Sequence, residues 1–113
     1  MEFEKALIFL CSGTTELTDK KLSHKIAALM RDRSLGEVAS LKNLSEQHAA
    51  IRRRKMIFIN ECKSECVRML TSGLREADFL YLDVSPHKNS AAFNIDYFLE
   101  TEVFPFLELK ASI

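Results

Sequence analysis

Three short apolar runs punctuate the chain: Ala-Leu-Ile-Phe-Leu within Lys5–Cys11, Met-Ile-Phe-Ile within Lys55–Asn60, and Phe-Leu-Tyr-Leu-Asp-Val within Ala77–Val84. The first two are continuous rather than alternating, which predicts strands covered on both faces. The third alternates more and predicts a strand nearer a sheet edge. Between the runs the spacing changes to that of helices. Leu22, Ile26, Ala27, Leu29 and Met30 form one apolar stripe behind Leu17-Thr18-Asp19, which offers capping residues; Lys20, Lys21, His24 and Lys25 fall on the polar face. Ser45-Glu46-Gln47-His48 has the character of a capping box and opens a second helix that runs to about Arg54. A third helix is expected from about Glu61 to Leu74, with Cys66, Val67 and Leu70 facing inward and Gly73 as its stop. Beyond Pro86, Phe93 to Leu109 reads as a last helix, interrupted or ended at Pro105.

This order of elements implies a small three-layer α/β domain, Rossmann-like, with a mostly parallel sheet of three to four strands and helices on both faces. No internal repeat, low-complexity stretch or linker divides residues 1–113, so one domain is expected. Parallel sheets of this kind bind ligands at the carboxyl ends of their strands. Cys11 falls at the end of the first strand and Cys62 just beyond the second, so both belong to that one sheet edge.

Composition narrows the function classes. Hydrophobic residues make up 47% and charged residues 28%, with few Gly and Pro, which fits a packed globule and not a disordered chain. Sixteen basic against sixteen acidic residues leave a net charge of zero, which argues against nucleic acid or an anionic membrane as partner. The one basic run, Arg52-Arg53-Arg54-Lys55, is read as a solvated helix end that complements the helix dipole. No apolar run approaches the roughly 20 residues of a membrane helix. The N-terminus, Met1-Glu2-Phe3-Glu4, is acidic where a signal peptide is basic, and three cysteines are a poor disulfide framework. A cytoplasmic protein with reduced thiols is the expectation.

The cysteines carry the candidate chemistry. Cys62-Lys63-Ser64-Glu65-Cys66 sets two thiols four residues apart at the expected start of a helix, where they share a face about 6 Å apart. A helix N-terminus favours thiolate, the form that binds Zn²⁺ or attacks an electrophile. A disulfide between these two is disfavoured by their parallel Cβ vectors. Cys11 leads Ser12-Gly13-Thr14-Thr15, whose amides and hydroxyls suit an anion, although the plain alternative is a turn with a helix cap and no Walker or dinucleotide spacing is present. Buried core cysteines at Cys11 and Cys66 are the bland alternative to any site.

At these residues the sequence resembles the DGC-domain proteins, a zinc-binding family. The first strand ends in Cys11-Ser12-Gly13. A middle strand ends in Ile59-Asn60-Glu61-Cys62 and runs on to Cys66, where the family has Asp-Gly-Cys followed by a Cys-x-x-x-Cys spacing. A following helix and a strand ending in Leu82-Asp83-Val84 complete the likeness, which spans about residues 5 to 85. The resemblance implies a small α/β domain with a four-cysteine metal site. This chain departs from the pattern at Asn60-Glu61, which replaces Asp-Gly, and at Ser34, which stands at the position of the remaining cysteine. Serine is a poor Zn²⁺ ligand, so three thiolates remain: Cys11, Cys62 and Cys66.

Three readings of function stay open. In the first, Cys11, Cys62 and Cys66 bind Zn²⁺, with water, an exogenous thiol or His87 in the fourth place, and Glu61 or Glu65 orients the ligands or acts as acid or base. A variant of it has the site surviving without its metal. In the second, Cys62 is a nucleophilic or redox thiol and Ser12, Gly13, Thr14 and Thr15 hold an anionic substrate. In the third, Phe93, Tyr97, Phe98, Phe104 and Phe106 form a homodimer or partner surface, against the plainer use of these rings in core packing. His24 and His48 are read as solvated helix residues, and His87 in Ser85-Pro86-His87-Lys88-Asn89 as a loop residue raised only by its place at the ligand edge.

Overall fold

The computed structural model describes residues 6–10, 16–18, 20–40, 55–64, 66–71, 78–87 and 89–107, with the backbone alone at residues 66, 69 and 70. The two continuous apolar runs are strands: β1, Ala6–Leu10, and β3, Met56–Asn60, and every residue of both is buried. The alternating run is β4, Phe79–Asp83, whose residues are mostly half-buried, as its edge position requires. A fourth strand, β2, Gly36–Val38, has no signal of its own in the sequence. Three residues including a glycine carry too little β propensity to announce a strand, and pairing with β1 is what makes it one.

The sheet order is β2-β1-β3-β4 and every pairing is parallel. Helix α1, Leu22–Asp32, joins β1 to β2 on one face. The 3₁₀ segment Cys66–Thr71 joins β3 to β4 and packs Val67 against the other face. These two connections step in opposite directions on opposite faces, so they have the same hand, as the rule for parallel crossovers demands. The protein is therefore a small α/β domain with an all-parallel sheet.

Strand alternation divides the core between the faces. Ala6, Ile8, Leu10, Ile57, Ile59, Leu82 and Val84 pack against Ile26, Ala27 and Met30 of α1 and against Leu99 and Val103 near the C-terminus. On the opposite face Leu7, Phe9, Met56 and Phe58 pack with Val67 and the half-buried Phe79 and Tyr81. The register sets Phe9 beside Phe58 and Phe58 beside Tyr81. The rings of Phe9 and Phe58 stack at 5.2 Å, an arrangement that adds about 0.5–1.5 kcal/mol to their burial.

Helix α1 ends in a Schellman motif. The Ser34 N–H bonds to Arg31 O and the Leu35 N–H to Met30 O, and Ser34 takes the left-handed φ of 58° that glycine usually supplies there. After β4 a short 3₁₀ turn, Ser85–His87, leads to α2, Ile95–Phe98, which Asn94 caps by accepting from the Tyr97 N–H. It continues as a π-helical turn over Leu99–Val103, two residues short of Pro105. Phe93, Phe98, Phe104 and Phe106 all pack against the α1-side core, whereas Tyr97 is exposed. Arg33 pairs with Asp96, and Lys55 bonds to Phe106 O with its ammonium 5.0 Å from the Phe106 ring centre. Lys55 thus belongs to tertiary packing and not to a solvated helix end.

Two expectations are corrected. The helix expected from Glu61 is not formed at its start: residues 61–64 are loop and turn, and among the described residues of that stretch Cys66–Thr71 is helical, as a 3₁₀ segment. The N-cap of α1 is Lys21, without a side-chain bond, and not the Leu17-Thr18-Asp19 region. The expected helix from Ser45 to about Arg54, including His48, lies outside the described residues.

Candidate site at the carboxyl edge of the sheet

The chain steps from β1 to β2 on one side and reaches β3 on the other, so the connections diverge between the carboxyl ends of β1 and β3. In open parallel sheets that divergence is where ligands bind. The loop that opens there from β3 is Glu61–Ser64, and it carries Cys62.

Asn60, the last residue of β3, organises this loop. It is fully buried, and the register sets it beside Asp83 at the end of β4. Its Nδ2 donates to Cys62 O at 2.8 Å and to Asp83 Oδ1 at 3.0 Å, while its Oδ1 accepts from the Cys62 thiol at 3.3 Å. A neutral amide with all these contacts satisfies a buried position that a carboxylate could not. Asp83 Oδ1 also accepts from the Ser85 N–H at 3.1 Å and the Ser85 hydroxyl at 2.7 Å. Burial pushes the Asp83 carboxyl up, but the bonds from Ser85 and Asn60, helped by His87, outweigh it and hold the group below its usual 3.8.

On the α1 side of the same edge, Glu61 Oε1 accepts from the Ser23 N–H at 2.6 Å. No acidic residue lies in the first turn of α1, so a carboxylate from a distant loop meets the partial positive charge of the helix end. Next to it stands His24, 4% exposed, which corrects its expected place on the solvated face. Its Nδ1 accepts from the Thr18 N–H at 3.0 Å. Burial lowers the His24 pKa below 6.5, Lys21 lowers it further, and Glu61 opposes both. The neutral ring is thus the folded form.

The described geometry brings together only part of the expected site. Cys62 is half-buried at the sheet edge, four residues before the start of the 3₁₀ segment at Cys66. It stands in a turn and not at a helix N-terminus, so the dipole activation and the shared helical face expected for Cys62 and Cys66 do not apply. His87 stacks on Phe93 at 4.7 Å and meets Phe98 edge-on at 6.5 Å, rings that pack with the α1-side core. Asn60 and Asp83 share strand parity with the opposite face. Ser34 closes α1 just before β2 begins, at the amino edge of the sheet, far from the edge that holds Cys62. Cys11, Ser12, Gly13, Thr14, Thr15 and Glu65 lie outside the described residues, as does the Cys66 side chain. Among the described residues no three His, Cys, Asp or Glu side chains converge as metal ligands. No described helix is long and apolar enough to cross a membrane.

Two contributors to this edge are faint in the sequence. Asn60 reads there only as a departure from a family motif, and a polar residue ending an otherwise apolar strand is the available signal. Ser23 gives none. No family model, curated protein or solved structure matches this chain.

Proposed function

We propose that the carboxyl edge of the sheet binds a thiophilic metal ion, Zn²⁺ first, with Cys62 as the anchoring ligand and Cys11 and Cys66 as its partners. The observation that carries this reading is the state of Cys62. Its thiol lies 3.3 Å from the oxygen of a buried, neutral amide that is itself fixed by Asp83, which holds the sulfur at the divergence point of the sheet. The turn at Cys62 supplies no helix dipole, which weakens the alternative of a nucleophile activated at a helix N-terminus. A metal ion brings its own charge and deprotonates a coordinating thiol outright. Soft sulfur donors suit Zn²⁺, and a turn leaves Cys62 and Cys66 free of the fixed spacing that a helix imposes. Three thiolates leave a fourth position for water or an exogenous thiol. Asn60 is the residue that would keep the Cys62 loop in place as the proton leaves.

Elemental analysis of protein purified without chelator, beside Cys62→Ser, tests the proposal. About one equivalent of zinc, lost in the variant, is expected. Substoichiometric zinc and iron in the wild-type protein would remove it.

A further inference from the structure

We infer that the first turn of α1 is an oxyanion subsite that accepts a phosphate group, and that Glu61 occupies it as an internal anion which the ligand displaces. Three features meet at this one place. The helix is 11 residues long, and its first intrahelical bond is Lys25 N–H to Lys21 O, so the amides of Leu22, Ser23 and His24 precede the hydrogen-bond ladder. One of those amides already holds an anion, since Ser23 N–H donates to Glu61 Oε1 at 2.6 Å. The third feature is independent of the helix end: the Ser23 side chain is 1% exposed, and its Oγ is buried with no hydrogen-bond partner among the described residues.

A buried hydroxyl without a partner is costly, so its retention asks for a reason. Cα–Cβ bonds in a helix tilt toward its N-terminus, which sets the Ser23 Cβ on the side of the first-turn amides. Glu61 presents one carboxylate to this turn. A phosphate presents more acceptor oxygens and a larger charge, so it can take the amide bonds together with the Ser23 hydroxyl. These donors are distinct from the Ser12-Gly13-Thr14 loop and from the three cysteines of the metal reading.

The test is a titration of the isotopically labelled 113-residue chain with inorganic phosphate at constant ionic strength, read by backbone amide shifts. Saturable shifts centred on Leu22–Lys25 are expected. Glu61→Ala removes the competing carboxylate and should tighten phosphate by about fivefold, the equivalent of a typical helix cap. Ser23→Ala should weaken it by about tenfold while folding at least as stably as wild type, because it deletes an unpaired hydroxyl. Methyl phosphate distinguishes the source of the group: binding equal to that of inorganic phosphate points to a phosphomonoester, and selective binding of the free ion to inorganic phosphate itself. Shifts absent from the first turn, unchanged affinity in Glu61→Ala, or a clear loss of stability in Ser23→Ala would each overturn the inference. Cys62→Ser should bind phosphate as wild type does, so failure of the metal proposal and failure of this one are read separately.

Discussion

Asn60→Asp changes the shape of the side chain hardly at all, yet it should reverse how stability responds to acid. In the native protein the Asn60 amide donates to Cys62 O and to Asp83 Oδ1. The substituted carboxylate would keep the acceptor for the Cys62 thiol but lose both donors, at about 1 kcal/mol net for each bond. It would also set a second negative charge against Asp83. Two unit charges about 4 Å apart repel by about 4 kcal/mol at an effective dielectric of 20 and by about 1 kcal/mol in water. Asp83 is exposed, so the repulsion belongs toward the lower figure, about 1–2 kcal/mol. The total, about 3–4 kcal/mol, is a large share of the roughly 5–15 kcal/mol typical of a domain. The sign with pH follows from linkage. Wild-type Asp83 has a folded pKa below its usual 3.8, so its contribution is present above that value and is lost as pH falls through the folded pKa. The introduced carboxyl is buried beside a like charge, so its folded pKa is raised, and stability returns as pH falls through that raised value. Urea denaturation followed by circular dichroism at neutral and mildly acidic pH measures both effects. A loss below about 1 kcal/mol at neutral pH, or a variant that weakens in parallel with wild type on acidification, would refute this account of the network.

Three further outcomes are expected. Ser34 is exposed and sits at φ 58°, so Ser34→Gly should stabilise by about 0.5–1 kcal/mol, the relief of left-handed strain less the entropy of glycine; a lower urea midpoint would count against it. At Gly36 a Cβ would lie 2.9 Å from Ala6 O and 2.9 Å from Ile8 Cδ1, so Gly36→Ala should cost about 1–3 kcal/mol by the same assay, and a neutral result would mean that β2 yields easily. The buried, neutral His24 has a folded pKa below 6.5, so its contribution is full above 6.5 and is lost as pH falls through the folded value. His24→Asn keeps an acceptor for the Thr18 N–H and cannot titrate, so the slope of stability against pH just below 6.5 should flatten; an unchanged slope would assign it to other groups.

How much of this molecule is legible along the chain depends on where each residue finds its partners. The strands β1 and β3 announce themselves because burial on both faces leaves a continuous apolar run, and β4 because an edge strand alternates. The stripe of α1 and the stop before Pro105 are also local properties, set by helical period and by a missing amide. The elements without such a signal take their stability from distant residues. Strand β2 exists because β1 pairs with it, and α1 is capped by Glu61, 38 residues beyond Ser23. His24 looks solvated among lysines, yet it is buried and accepts from the Thr18 N–H. For the candidate site, the order of residues is enough to place Cys62 after a parallel strand, and so at the carboxyl edge of the sheet. It takes the folded chain to set Asn60 and Asp83 as its anchors, to put Ser34 at the opposite edge, and to leave a buried serine at the mouth of α1. Periodicity records which face a residue turns to the core; it holds no record of which distant atom meets it there.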